Sequence, residues 1–452
     1  MPSSNNVRKV TSENYPTDAG REGELIFRLV YQQAGCKKPF SRLWLSSMEE
    51  NAIREGFAHL KPSTEYDALY NAALCRERAD WMVGINASRL FSCLYGQPLA
   101  VGRVMTPVLA MTVVREAAIA AFVPEKFYTV ALTLADGGTA SSKRFAQKAD
   151  AELLLSKCRK EGRVTGQKME RKEKSESPPQ LYDLTALQRD ANRLLGFTAQ
   201  QTLDYTQSLY EKKLVTYPRT DARVLSTAVA KEIGRNISGL KNFQPVAEFA
   251  QGAMESGTYK GIAKTKYVND KQITDHYAII PTGQGFGALR SLAPTALKVY
   301  EIICRRFLSI FYPAAEYQKV AMTLSKNGEK LFANFKYLIN DGYLKVAANS
   351  FSKKKDDVKY SPEFIARLAK IKKGDKLSVQ GIDIKEGETS PPKRYNSGSL
   401  ILTMENAGQF IEDEALREQI KGAGIGTSAT RDGIITKLEK NKYISLNKKT
   451  QI

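Results

Sequence analysis

The chain has 452 residues, more than one hydrophobic core usually organises, and 42% of them are hydrophobic, so two to four domains are expected. Its 68 Lys and Arg against 48 Asp and Glu leave a formal charge of +20, which favours a polyanionic partner, nucleic acid before an anionic membrane surface. No stretch is apolar and long enough to span a bilayer, the N-terminal MPSSNNVRKVTSENYP lacks the apolar run of a secretory signal, and the five cysteines (Cys36, Cys75, Cys93, Cys158, Cys304) show no CxxC spacing, which together point to a reduced, cytoplasmic protein.

In chain order, residues 22–33 read as a helix opening at EGELIFRL, and SSMEENAIREGFAHL as a second helix capped at Ser46-Ser47 with Glu49 and Glu50 in its first turn. A longer helical region, EYDALYNAALCRERADWMVGINASRLF, follows Lys61-Pro62. In AVGRVMTPVLAMTVVREAAIAAF, Thr106 and Pro107 read as an N-cap and first-turn pair. Residues 127–170 turn to β character, with FYTVALTLA alternating before a turn at Asp136-Gly137-Gly138, and RKEKSESPPQ (171–180) reads as a boundary or exposed crossover. Thr185 with Gln188 and Thr198 with Gln201 each fit a capping box, with Gly196 breaking the run between the two helices. Residues 318–349 return to β (KVAMTLS, KLFANFKYL), KKKDDVKYSPE is a polar loop, KLSVQGIDIKEGETSPPKRY is β again, and the chain is helical from Ser399. A β region interrupted by a helical insertion and then resumed describes one domain whose chain leaves and returns.

Several stretches carry chemistry. Around Gly20, PTDAGREGELIF gathers Asp18, Glu22 and Glu24, a set that suits Mg²⁺, although a capped helix with glutamates complementing its dipole accounts for the same residues. Gly102-Arg103 ahead of a helix N-terminus makes a phosphate seat, and an ordinary buried helix explains it equally well. In GAGIGTSATRDGII the glycine-rich loop ends at Thr427-Ser428 without the Lys-Ser/Thr of a nucleotide-binding P-loop; anion contact from Thr427, Thr430 and the helix N-terminus, or a plain cap, remain. The chain has two histidines: His59 on a helix, and His276 beside Asp275 in TDHYAIIPTG, where a structural role is the simplest reading. That scarcity removes histidine-rich metal nucleases and paired-histidine relaxases. In LVTYPRTD, Pro218 forces Tyr217 into an extended conformation, so Tyr217 and Arg219, two apart, share a face. A phenol, with a reference pKa of about 10, becomes a nucleophile only beside cations or a positioned base, so Tyr217 with Arg219 and a carboxylate-bound Mg²⁺ suits phosphoryl transfer on DNA.

Taken in order, PTDAGREGEL, RERADWMVGINASRLF, AVGRVMTPVLAM, YDLTALQRDANRLLGF, LVTYPRTD, DHYAIIPT and GIGTSATRDGII closely resemble type IA DNA topoisomerases, nearest to the bacterial topoisomerase III branch. The resemblance implies a multidomain α/β plus α, toroidal fold: a partial Toprim domain at 1–60, a helical DNA-binding domain from 61–125 and 396–452, a β-rich arch from 126–180 and 316–395, and a helical domain at 181–315 carrying the nucleophile. On the matching positions, Tyr217 is the nucleophile that forms a 5′-phosphotyrosyl bond, Arg219 positions the scissile phosphate and His276 stands near them. Ala100, Val101, Gly102, Arg103, Val104, Met105 and Thr106, with Arg76, Thr427 and Thr430, fall on DNA-contacting positions, and Asp18 and Glu22 on the acidic loop that holds Mg²⁺. The resemblance further implies single-stranded DNA as substrate, a monomer of the bacterial cytoplasm associated with the nucleoid, and a helicase or a missing Toprim portion as partner.

The chain departs from that pattern at Gly20, where the acidic loop has a second Asp, and RKVTSENYP is too polar for the buried strand expected there, so truncation at both ends is expected. Two functions compete: ATP-independent strand cleavage, passage and religation (relaxation or decatenation) through Tyr217, and single-stranded DNA binding without full turnover. A helix-turn-helix regulator using residues 185–213 leaves the rest of the chain unexplained.

Overall fold

The computed structural model describes residues 20–44, 50–135, 137–159, 162–273, 276–351, 360–419 and 424–447. Asp18, the Ser46-Ser47 cap with Glu49, Asp136 and Asp275 lie outside the described residues. The described chain forms two compact units, one drawn from Met1–Val114, Gln180–Phe307 and Tyr395–Ile452, the other from Arg115–Pro179 and Leu308–Arg394.

The elements run α1 (Arg21–Gln33), β1 (Ser41–Arg42), α2 (Glu50–Ala58), β2 (Lys61–Pro62), α3 (Asp67–Tyr95) and α4 (Met105–Ala120), then β3 (Lys126–Leu134), β4 (Thr139–Ser141), α5 (Lys148–Cys158) and β5 (Arg163–Glu176). A helical stretch follows: α6 (Leu184–Leu195), α7 (Ala199–Glu211), α8 (Thr227–Gly239), α9 (Ala247–Ser256) and α10 (Pro294–Ser309). Strands β6 (Ala315–Lys326) and β7 (Glu329–Asn340), helices α11 (Leu344–Ala347) and α12 (Pro362–Lys370), and β8 (Lys376–Glu388) come next, before α13 (Ser397–Glu405), α14 (Glu414–Gln419) and α15 (Ser428–Lys440).

In the β unit, six strands close an antiparallel barrel in the order β3-β4-β7-β6-β5-β8. Closure removes the open edges that a free sheet would present. The strict alternation of β7 turns Leu331, Ala333 and Phe335 inward, where they meet Leu132, Val320, Met322 and Leu324 and the α12 residues Phe364 and Leu368. Helix α5 covers a second face, packing Ala151, Leu154 and Cys158 on Val130. The stretch RKEKSE does not leave the sheet: β5 continues to Glu176, paired with Ala315 of β6. Its alternating charges are those of a strand with wet outer flanks, where Glu176 accepts from Lys174 at 2.7 Å and from Lys336 at 2.9 Å.

In the other unit, α6 is capped by Asp183, whose Oδ1 accepts from the Ala186 N–H at 2.6 Å; the expected Thr185–Gln188 box is displaced because Asp183 already holds the N-cap and Gln188 is turned inside to donate to the Ala199 carbonyl at 3.1 Å. The Thr198–Gln201 capping box forms, and Gly196 takes the left-handed conformation that ends α6. Helix α4 begins at Met105, so Thr106 lies inside its first turn, and its Oγ1 accepts from the Gly102 N–H at 3.0 Å. Met105 and Val108 of α4, Leu400, Ile401 and Met404 of α13, and Ile435 and Leu438 of α15 share one core. Gly398 permits α13 to approach α6: a Cβ there would sit 3.3 Å from the Arg189 backbone.

Removing the Phe335 ring, which is 3% exposed and packs edge-on against Tyr360 and Phe364, should cost about 3–5 kcal/mol of barrel stability. A urea titration of Phe335→Ala followed by circular dichroism checks this, and an unchanged midpoint would contradict the packing described.

Candidate functional site

Tyr217 sits on a segment stitched to residues 276–282, with Val215 bridged to Pro281. Thr216 N–H donates to the Ile280 carbonyl at 3.0 Å, Ile280 N–H to Thr216 Oγ1 at 2.9 Å, and Thr282 N–H to the Leu214 carbonyl at 3.0 Å. Thr220 Oγ1 donates to the His276 carbonyl at 2.8 Å. These bonds put the half-buried Tyr217 ring 4.3 Å from the His276 ring, tilted by 40°, with Tyr210 of α7 edge-on at 5.5 Å. The second segment is pinned in turn on α8. Asn236 Nδ2 donates to the Pro281 carbonyl at 2.9 Å, and a Cβ on Gly239 would lie 2.0 Å from the Gly283 carbonyl oxygen, so the approach needs glycine there.

Arg219 is exposed, and its Nη1 donates to the Ala429 carbonyl at 2.9 Å, in the first turn of α15. The same helix end carries the Thr427–Thr430 capping box. Thr427 and Thr430 also line a cavity of about 540 Å³ with Glu22, Arg76, Arg103 and Val104. Inside it the cations are held by carboxylates: Arg103 Nε pairs with Asp80 at 2.5 Å and Arg76 Nη1 with Glu22 at 3.4 Å. The floor is therefore a set of exchangeable ion pairs at a helix N-terminus, a place where phosphate oxygens can replace carboxylates.

Behind the helix end lies a buried charged layer. Arg431 is 4% exposed and donates to the Ile425 carbonyl and to Thr185 Oγ1, at 3.2 and 3.1 Å. Burial pushes the Asp183 carboxyl up to about 6, against the Ala186 N–H and the Arg223 charge, which favour ionisation. Asp432, on the next position of α15, is 3% exposed and is likewise raised by burial.

The sequence profile of the DNA topoisomerase family matches residues 64–452. The chain belongs to that family. It is 38% identical over 435 residues to DNA topoisomerase 3 of Bacillus subtilis (strain 168), covering 93% of this chain and 58% of the relative. It is also 38% identical over 440 residues to DNA topoisomerase 3 of Shouchella clausii, covering 95% and 58%. The chain thus spans about 58% of the length of the curated relatives it matches. Full-length topoisomerase I from Thermotoga maritima has the same fold, with a TM-score of 0.68 at 23% identity, over 99% of this chain and 69% of that one. The type IA, topoisomerase III-like resemblance and the multidomain α/β fold expected from it are borne out.

The Tyr217 and His276 rings meet, Arg219, two residues after Tyr217, reaches the first turn of α15, and Glu22, Arg76, Arg103, Val104, Thr427 and Thr430 line the cavity beside that helix end. The neighbouring positions are engaged in shaping the loop. Ala100 N–H donates to Tyr443 Oη at 2.8 Å, Val101 N–H to Ser88 Oγ at 2.9 Å, and Met105 is buried in the core. Sequence reading missed Asp80, Asp183, Thr220, Arg431 and Asp432. Arg431 and Asp432 lie within the quoted glycine-rich motif and Asp183 stands at an N-cap position, so all three carried a local signal; Asp80 and Thr220 owe their roles to partners brought from elsewhere in the chain.

The acidic cluster separates. Glu24 is fully buried and pairs with Arg42 at 2.6 Å and Arg28 at 2.8 Å, making it a structural ion triad under α1 and not a metal ligand. Glu22 is exposed and paired with Arg21 and Arg76, and among the described residues no three His, Cys, Asp or Glu side chains converge as a metal site. Of the expected acidic pair only Glu22 is among the described residues, and no chemical step below is routed through a metal.

Because the Asp183 carboxyl is raised from its ordinary 3.8 to about 6, its contribution to stability is complete below pH 3.8 and is lost as pH rises through 6. Asp183→Asn keeps a capping oxygen and should remove that slope, leaving the variant up to about 3 kcal/mol more stable at pH 7.5 and equal to the parent near pH 3.5. Urea midpoints at the two pH values check it; a variant destabilised at both would show that the carboxylate charge is itself stabilising.

Proposed function

We propose that this chain carries the strand-cleaving core of an ATP-independent type IA topoisomerase. The observation that supports it best is the packing of the Tyr217 ring on His276, with Arg219 of the same tyrosine segment reaching the helix end that also borders the arginine-lined cavity. In the proposed reaction, Tyr217 Oη attacks a backbone phosphorus of single-stranded DNA. A 5′-phosphotyrosyl bond forms, the P–O3′ bond breaks, and the proton lost by the Tyr217 hydroxyl is balanced by the one taken up by the departing 3′ oxygen. Arg219 bears the charge that develops on the phosphoryl oxygens. Attack by the 3′-hydroxyl reverses the step and releases Tyr217, so no nucleotide hydrolysis is needed. Passage of a second strand between the two steps gives relaxation or decatenation. Magnesium belongs to this proposal through Asp18 and Glu22, with no step assigned to it. The domain division at residues 60, 125, 180, 315 and 395 belongs to it as well.

A partner is part of the same reading. Helices α1 and α3 expose Ile26, Val30, Trp81, Met82, Val83, Leu94 and Tyr95, none of which the described residues cover. Of the 29 residues of α3 only Ala73 is buried. So large an apolar face on paired helices marks an interface. The stretch Arg21–Pro62 lies outside the family match and has only two-residue strands, so the proposed occupant is the remainder of an α/β Toprim body. With Trp44 replaced by Phe, Trp81 reports on that face alone, since the chain has two tryptophans. Its emission should shift to the blue when the N-terminal portion of the Bacillus subtilis relative is added; no shift at saturating concentration rejects the occupant.

The enzymatic reading is tested by denaturing the chain after incubation with labelled single-stranded DNA, with and without Mg²⁺. A protein-linked band should form, vanish in Tyr217→Phe and fall by about 10²–10³ in Arg219→Ala, as for loss of one oxyanion contact. Binding without any covalent band in the parent chain would leave a DNA-binding protein.

A further inference from the structure

Asp432 is the carboxylate on this face of α15 whose environment is least settled. It is 3% exposed, and its Oδ1 has no hydrogen-bond partner. A buried carboxylate oxygen left in that state costs free energy unless a cation stands close enough to offset it. The Gly433 N–H on its own helix donates to it, and through space the charge of Asp204 on α7 opposes its ionisation and that of Arg219 on the tyrosine segment favours it. Asp432 comes three residues after Ala429, one turn along α15 from the carbonyl that receives Arg219 Nη1 at 2.9 Å. Arg219 itself is exposed and two residues from Tyr217. A guanidinium that swings away from this face remains tethered beside the phenol.

We propose that Asp432 is a positioning residue for Arg219: its carboxylate and the Ala429 carbonyl form a seat on α15 that holds the guanidinium when no DNA is bound, and a phosphodiester draws Arg219 off that seat. The inference rests on the cleavage reading above for the role of the phosphate, and on α15 geometry for the seat. Its consequence is a competition. The anion that holds Arg219 at rest opposes its transfer to DNA, so weakening the seat strengthens binding, the reverse of what losing a stabilising core residue does.

The test is a double-mutant cycle in the Tyr217→Phe background, which removes cleavage from the measurement. Affinity for a fluorescent single-stranded oligonucleotide is followed by anisotropy at fixed salt for Asp432→Asn, Arg219→Ala and the pair. Asp432→Asn should tighten binding about three- to tenfold when Arg219 is present and leave it unchanged when Arg219 is Ala. Asp432→Glu should stay within about twofold of the parent. Equal effects of Asp432→Asn in both backgrounds, weaker binding, or no change with Arg219 present would each overturn the seat. Circular dichroism establishes that each variant folds, and Asp432→Ser replaces the Asn variant if that one does not. With Tyr217 restored, absence of a covalent band in every variant would sink the cleavage reading alone, because the binding cycle reports on the seat without it.

Discussion

One hydrogen bond, from the Arg219 guanidinium to the Ala429 carbonyl, joins the tyrosine segment to a helix 210 residues further along the chain. It depends on two scaffolds being right at once. The first is the cross-stitching of residues 214–220 to 276–282 through Thr216 and Thr220, side chains that act here as extra backbone. The second is the N-terminal cap of α15, where Thr427 and Thr430 close the helix end and leave carbonyls of the first turn facing Arg219. A shift of either scaffold would break that hydrogen bond.

The charge of the chain acts locally through exchange. Arg76 and Arg103 are held by Glu22 and Asp80 around the cavity, and Arg219 by a carbonyl. Such pairs are worth little on an exposed surface, which makes them cheap to break in favour of phosphate. The interior follows the opposite rule. The Glu24–Arg28–Arg42 triad and the Asp190–Arg306–Tyr182 network are largely enclosed, and breaking either would strand a buried charge. The same residue types are thus divided by burial into structural and exchangeable sets.

The barrel shows how a long insertion is accommodated. Strand β5 runs to Glu176 and β6 resumes at Ala315 as its direct neighbour, so the helical stretch between them enters and leaves at one point of the sheet. The antiparallel register is kept by the pairing of Glu176 with Ala315 through to Thr165 with Ser325. Helices can be inserted there because both ends of the insertion are already adjacent.

By itself the sequence determined what local chemistry dictates: the helices at Thr198 and Thr427, the stop at Gly196, the strand KLFANFKYL, and, through seven motifs in order, the family. It misjudged elements where a local signal met a stronger competitor, as when Asp183 took the cap expected at Thr185, or where charge hid a strand, as in RKEKSE. Only the tertiary structure decided which carboxylates are structural: Glu22 and Glu24 lie two residues apart, yet one faces solvent and the other is enclosed between two arginines, one of them from a distant strand. It also decided that Arg219 meets α15 at Ala429, one turn before the buried Asp432. Such long-range electrostatic partners depend on burial and on distances between remote segments, and neither is encoded in the spacing of residues along the chain.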